Sequence, residues 1–145
     1  MDFLTAIRIS TSGLNAQRTR MNVVSSNLAN VNTTRTPEGG PYRKKEVIVS
    51  ATDAKNKFEQ ELTNSLNGKL KEAKVSDVVE DQKAPRMVYE PGHPDANEQG
   101  YVAYPNINIM QEMVNLISAS RSYEANITSI NASKSLALKA LELGR

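Results

Sequence analysis

The chain has 145 residues, 39% of them hydrophobic and 5% aromatic, with no cysteine, no tryptophan and a formal charge of +2 at pH 7. This length fits one compact domain with a small core, and the missing cysteines exclude disulfides and thiolate metal sites. The charge asymmetry along the chain is mild, with net charges of +4 over residues 1–50, −3 over 51–104 and +1 over 105–145. This pattern does not suggest a nucleic-acid-binding protein, which usually has a clustered basic face.

The N-terminus does not look like a secretory signal. Asp2 stands where a basic n-region would lie, and polar residues interrupt every apolar run that follows. Eighteen apolar residues never run together, so we expect no direct membrane insertion. A protein of this kind that leaves the cytoplasm must do so by a route without a cleaved signal peptide.

The first predicted element is a helix over residues 1–32. Apolar side chains recur at alternating spacings of four and three, which is typical of a helix that packs along a narrow seam. Abundant serine, threonine and asparagine, together with Gly13, lower its intrinsic helix propensity. We therefore expect this helix to depend on packing and to order on binding. The predicted seam contains Phe3, Ile7, Ser10, Leu14, Gln17, Met21, Val24, Leu28 and Val31.

Residues 33–104 are predicted to form a loop followed by a small β-rich insert. Prolines and glycines within Thr33–Pro41 indicate the loop. A turn at Glu80–Lys83 predicts a hairpin between the second and third strands, and residues 53–67 fit either a short helix or a flexible surface segment. The four predicted strands are Tyr42–Ala51, Lys74–Val79, Arg86–Tyr89 and Tyr101–Tyr104.

A second long helix is predicted over residues 105–145, because no proline follows Pro105 and no glycine lies between Pro105 and Gly144. The fold class is therefore α+β, with long N- and C-terminal helices forming a coiled-coil-like bundle around a small β-rich insert. Two interpretations remain open: an antiparallel hairpin within one monomer, or seams that pack between subunits. The second seam contains Ile109, Met113, Leu116, Tyr123, Ile127, Ile130, Ala137 and Leu141, interrupted only at Ser120 and Lys134.

Little in the sequence suggests catalysis. The single histidine, His93, lies near Asp95 but lacks a nucleophile at a recognisable spacing, and one histidine does not make a zinc site. We expect no enzyme activity, no cofactor and no metal. The basic run Arg43–Lys45 fits a solvated strand edge, with a phosphate or lipid site as the alternative.

Four segments carry a family resemblance. Ser25–Thr33 (SSNLANVNT) and Met113–Asn126 (MVNLISASRSYEAN) resemble the terminal signatures of bacterial flagellar axial proteins, the rod, hook and hook-associated family. Thr34–Arg43 (TRTPEGGPYR) and Tyr89–Pro105 (YEPGHPDANEQGYVAYP) are similar to a proximal-rod member of that family. Their order and spacing also match, whereas residues 52–84 carry no usable signature.

The resemblance implies a structural subunit of the basal-body proximal rod, which polymerises helically through its terminal helices and transmits torque across the periplasm. The implied partners are other rod proteins, further copies of the chain and the flagellar type III export apparatus. Alternatives are another rod or hook axial protein, or an unrelated secreted coiled-coil adaptor.

The predicted assembly interface combines apolar seam positions with polar residues that fix the register. The apolar positions are Leu14, Met21, Val24, Leu28 and Val31 in the first helix and Met113, Leu116, Tyr123, Ile127 and Ile130 in the second, and the polar ones are Asn27, Asn30, Glu124 and Asn126.

Overall fold

The computed structural model describes residues 3–53 and 71–143. Two long helices flank four strands, which confirms the predicted α+β class. Of the candidate short helix over residues 53–67, Asp53 is the last residue of a strand and the rest lies outside the described residues. In chain order the elements are α1 (Phe3–Ala29), β1 (Lys45–Asp53), β2 (Lys71–Glu80), β3 (Arg86–Tyr89), β4 (Tyr101–Tyr104) and α2 (Ile109–Leu143).

The two helices form an antiparallel hairpin within the chain. Asn27 is hydrogen-bonded to Glu112, and a Cβ at Gly13 would lie 3.0 Å from the side chain of Asn126. Both helices advance by 14 residues between these contacts, or about 21 Å along the axis. One constant register therefore joins α1 to α2 over several turns.

Side-chain caps set the inner ends of both helices. Asn108 accepts a hydrogen bond from the backbone N–H of Gln111 at 3.2 Å, so α2 begins at Ile109 and not at the predicted Pro105. At the end of α1, the amide of Asn30 donates to the carbonyl of Ser26 at 2.8 Å and helps close the helix at Ala29. The helix is thus three residues shorter than the predicted end at residue 32.

The strands β1 and β2 form an antiparallel ribbon of nine paired residues, from Lys45↔Glu80 to Asp53↔Lys71, with a bulge between Ile48 and Val49. Two-stranded ribbons are marginally stable alone. Here α1 supports one end, because Ser12 Oγ accepts a hydrogen bond from Ala73 N at 3.1 Å and Arg8 forms an ion pair with Glu72.

The predicted hairpin between the second and third strands is wrong. Strand β2 pairs with β1, across residues distant in sequence, and β3 pairs with β4. After β2 the chain stays beside the start of β1, since Asp81 N donates to Lys44 O at 2.7 Å. The nine-residue β1–β2 ladder, with its support from α1, outweighs the turn that the sequence suggests at Glu80–Lys83.

The β3–β4 hairpin depends on a glycine. Gly100 has a φ of +79°, which side-chain-bearing residues rarely adopt, and a Cβ there would lie 2.9 Å from Tyr89 Cε2. Its carbonyl accepts a hydrogen bond from Glu90 N at 2.9 Å, which joins the two ends of the connecting loop. The hairpin in turn places Val102 in the fully buried core.

We expect Gly100→Ala to lower the free energy of unfolding by about 1–2 kcal/mol, because the left-handed backbone is unfavourable for alanine and the new methyl group crowds Tyr89. Chemical denaturation followed by circular dichroism measures the change. Gly92→Ala is the matched control, since a Cβ at Gly92 meets nothing within 4 Å. Equal destabilisation of the two variants would contradict this account of Gly100.

Candidate assembly interface

A buried amide joins three elements of the fold. Asn27 is completely buried, and its amide group donates to Lys45 O at 2.9 Å and to Glu112 Oε2 at 3.0 Å. Its Oδ1 accepts from Lys45 N at 2.9 Å and from the Tyr42 hydroxyl at 3.1 Å. All four hydrogen-bonding positions of the amide are satisfied, so α1, the first residue of β1 and α2 are fixed at one point.

Glu112 is the charged member of this cluster. Only 1% of its surface is exposed, and a buried carboxylate is costly unless it is paired and hydrogen-bonded. Besides Asn27, Glu112 accepts a hydrogen bond from Asn115 Nδ2 at 3.2 Å, and Lys44 Nζ lies 3.4 Å from its Oε1. The carboxylate is therefore both neutralised and solvated by the chain itself.

Lys44 provides the compensating charge. Burial lowers the pKa of Lys44, but the hydrogen bond to Glu46 and the charge of Glu112 outweigh this effect, so the pKa is raised above its usual value. The ammonium group consequently stays charged at neutral pH. Because the folded-state pKa is the higher one, this stabilisation is fully present at neutral pH and is lost only as the pH rises through that raised value.

The cluster requires an asparagine at position 27. Aspartate would lack the two donors that reach Lys45 O and Glu112, and it would place a second carboxylate beside the first. The sequence predicts Asn27 as a residue that fixes register but gives no role to Glu112, which resembles an ordinary surface charge in a helical segment. The available signal is its seam spacing, since Glu112 precedes Leu116 by four residues and Ala119 by seven.

The predicted interface residues of α1 have different surroundings. Val24 is buried, whereas Leu14, Met21, Leu28 and Val31 are half-buried in the chain. Asn30 contributes to the end of the helix through Ser26 O. All these positions are contacted within the monomer to some degree, and whether neighbouring subunits cover the rest stays a prediction.

The predicted residues of α2 divide between two faces. Leu116, Tyr123, Asn126 and Ile130 are half-buried in the hairpin, and the buried seam positions between and beside them are Glu112 and Ala119. By contrast, Met113, Ile127 and Glu124 are exposed. The seam against α1 therefore contains several small or polar side chains, and part of the apolar row points away from it.

An apolar surface lies on the opposite side of α2 from Glu112. We call it the outer face; each of its members lies three and four residues from two others, as residues on one helical face do. Val114 and Ile117 also line a shallow groove with Ser118, Arg121 and Ser122. The outer face comprises Met110, Met113, Val114 and Ile117, which are 71%, 47%, 58% and 53% exposed.

Other candidate chemistry has structural explanations. Nδ1 of His93 accepts a hydrogen bond from Asp95 N at 3.1 Å, which stabilises the turn. Residues 3–53 and 71–143 contain no group of three or more histidine, cysteine, aspartate or glutamate side chains suited to a metal ion. No helix in these ranges is long and apolar enough to cross a membrane.

Comparison with known protein families finds matches for two segments of this chain. Residues 7–35, which cover most of α1 and the turn after it, match the model described as flagella basal body rod protein. Residues 98–143, which contain β4 and α2, match the model described as flagellar basal body rod FlgEFG protein C-terminal. Asn27 and Glu112, the two sides of the buried cluster, thus lie one in each matched segment.

Relatives extend the likeness to the whole chain. A flagellar basal-body rod protein FlgC from Bacillus subtilis is 45% identical over 97% of both chains, and that of Borreliella burgdorferi is 41% identical over 99% of this chain and 98% of its own. FlgC of Escherichia coli O157:H7 is 43% identical over the full length of both. This chain belongs to the FlgC family.

Membership of the FlgC family confirms the prediction of a flagellar rod protein. The full-length match favours FlgC over the other rod and hook proteins considered from the sequence, and over an unrelated secreted adaptor. It also extends the likeness across residues 52–84, for which the sequence motifs gave no indication.

We expect Asn27→Ala to lower the free energy of unfolding by about 2–4 kcal/mol, because it leaves Glu112 and the backbone of Lys45 without their buried partners. Urea denaturation followed by far-UV circular dichroism measures this change.

Asn22→Ala is the matched control. Asn22 is exposed on the same helix, and its substitution should change the unfolding free energy by less than about 0.5 kcal/mol. If the two alanine variants unfold at the same urea concentration, the buried cluster does not hold the fold in the way described.

Proposed function

We propose that the chain is a structural subunit of the proximal rod of the flagellar basal body. It polymerises helically with copies of itself and with other rod proteins, and the resulting tube transmits torque across the periplasm. Membership of the FlgC family supports the rod assignment, and a structural role, not a catalytic one, follows from it.

The observation that supports assembly through the terminal helices is the outer face of α2. Its four large apolar side chains are about half exposed or more, while the inner seam of the same helix buries Ala119 and Glu112. A helix that is this apolar on the side facing away from its own chain indicates a surface that another helix covers.

The energy available on this face is sufficient to favour association. Burial of a valine, isoleucine or methionine side chain contributes about 1.5–3 kcal/mol. Since a tube presents the same face on every subunit, each added subunit gains this contribution once. Head-to-tail contacts that do not close into a ring produce such an open helical polymer.

The composition of α1 supports the proposed export through the type III apparatus without a cleaved signal. The helix is rich in serine, threonine and asparagine, and its contact with α2 includes glycine and alanine positions such as Gly13 and Ala16. Such a helix has a small packing energy and weak intrinsic propensity. It therefore unfolds more readily than an apolar hairpin of the same length, which suits passage through a narrow channel.

We expect Ile117→Asp to abolish incorporation into rods while leaving the isolated chain folded. The aspartate would be solvated in the monomer but would become a buried, unpaired charge against a neighbouring helix. Three measurements test this: swimming motility, recovery of the chain in purified basal bodies, and urea denaturation of the isolated variant.

Gln99→Asp introduces the same charge at an exposed position on the β3–β4 loop and serves as the control. It should leave both motility and incorporation near the wild-type level. Normal rods built from the Ile117→Asp chain would contradict the role of the outer face, and absence of the wild-type chain from basal bodies would overturn the rod assignment.

A further inference from the structure

All the sulfur of this chain is in methionine side chains, because cysteine is absent. Peroxides convert exposed methionine thioethers to sulfoxides. In the described ranges Met87, Met110 and Met113 are 51%, 71% and 47% exposed, whereas Met21 is half-buried on α1. The isolated subunit therefore offers a peroxide three accessible sulfur atoms within these ranges.

Two of these sulfur atoms lie together in the outer face of α2. Met110 and Met113 are three residues apart, so their side chains are neighbours on one side of the helix. Each is followed four residues later by another apolar member of the face, Val114 and Ile117 respectively. Met87 lies on strand β3, which pairs with β4, and is not part of the outer face. It serves as a reference of similar exposure at another site.

Oxidation changes the polarity of the outer face without changing its charge. The sulfoxide oxygen accepts hydrogen bonds, and the modified side chain has no group that donates one. Water solvates this oxygen in the isolated chain, so the fold of the monomer is unaffected. Against an apolar neighbouring surface the oxygen would lose its water and find no donor, which is unfavourable. Oxidation should therefore weaken assembly and leave folding intact.

We propose that Met110 and Met113 form an oxidation site through which peroxide prevents the subunit from entering the rod. The proposal rests on the proposed function, because it requires the outer face to be covered in the assembly. Each thioether sulfur attacks one oxygen of hydrogen peroxide, so that an S–O bond forms and the O–O bond breaks. Sulfur loses two electrons to the peroxide, and the second oxygen leaves with both protons as water.

Glutamine reproduces the sulfoxide, because it carries an uncharged polar oxygen on the δ atom of its side chain. We expect Met110→Gln combined with Met113→Gln to lower recovery of the chain in purified basal bodies at least tenfold. Urea denaturation of the isolated double variant should match that of the wild type. Met110→Leu combined with Met113→Leu keeps the face apolar and should incorporate normally. Met87→Gln is the matched control and should also incorporate normally.

Oxidation can also be followed directly. Cells receive a brief pulse of hydrogen peroxide while newly made chain carries an isotope label, and labelled chain is recovered both free and from basal bodies. Cleavage after glutamate places the three methionines on separate peptides for mass spectrometry, because Glu90, Glu98 and Glu112 lie between them. We expect sulfoxide at positions 110 and 113 to be at least tenfold rarer in incorporated than in free labelled chain. Sulfoxide at position 87 should be equally common in both.

The leucine double variant separates this site from other effects of peroxide on the cell. It should continue to incorporate during a pulse that excludes the wild-type chain. Equal loss of the two chains would place the target of peroxide elsewhere and overturn the proposal. Normal rods from the glutamine double variant would overturn it as well, and so would equal sulfoxide fractions at positions 110 and 113 in free and incorporated chain.

Failure of the proposed function has a different result. Wild-type chain absent from basal bodies overturns the rod assignment itself. Exclusion of Ile117→Asp from rods, together with normal incorporation of the glutamine double variant, overturns the oxidation site alone.

Discussion

The arrangement of this chain depends on the hydrogen bonds around the side chain of Asn27. The amide donates to the carbonyl of Lys45 and accepts from its N–H, as a neighbouring strand would. It also donates to Glu112 on α2. Three elements that are distant in sequence therefore meet at a site with one geometry. Polar groups of this kind add little net stability, but they penalise every misaligned arrangement because a slipped helix would leave a charge unpaired. Lys44 completes the site by neutralising the carboxylate.

The polarity of α2 is reversed relative to an ordinary surface helix. Its inner side contacts α1 partly through alanine, asparagine and glutamate, while methionine, valine and isoleucine point outwards. The hairpin is thus specified by a polar cluster and by close approach, as where Asn126 covers Gly13, while several large apolar side chains of α2 stay exposed. This division fits a subunit whose final stability belongs to the assembly and not to the monomer.

Much of the fold follows from local sequence, and the remainder depends on contacts that local sequence does not encode. Helical spacing and the prolines define both long helices to within a few residues, and β4 was predicted at its observed bounds. The pairing of β1 with β2 was missed because it joins residues separated by a long connection, whereas a turn signal acts locally. In α2, spacing by four and three fits two neighbouring rows equally well. Choosing the more apolar row selected Met113 and Ile127, which are exposed, over Glu112 and Ala119, which are buried.

The outward methionine, valine and isoleucine side chains also affect the subunit before it is incorporated. Two free copies that meet in solution present these exposed apolar faces to each other, which favours association away from the proposed rod. The solubility of the free subunit therefore depends on the same side of α2 as the proposed assembly.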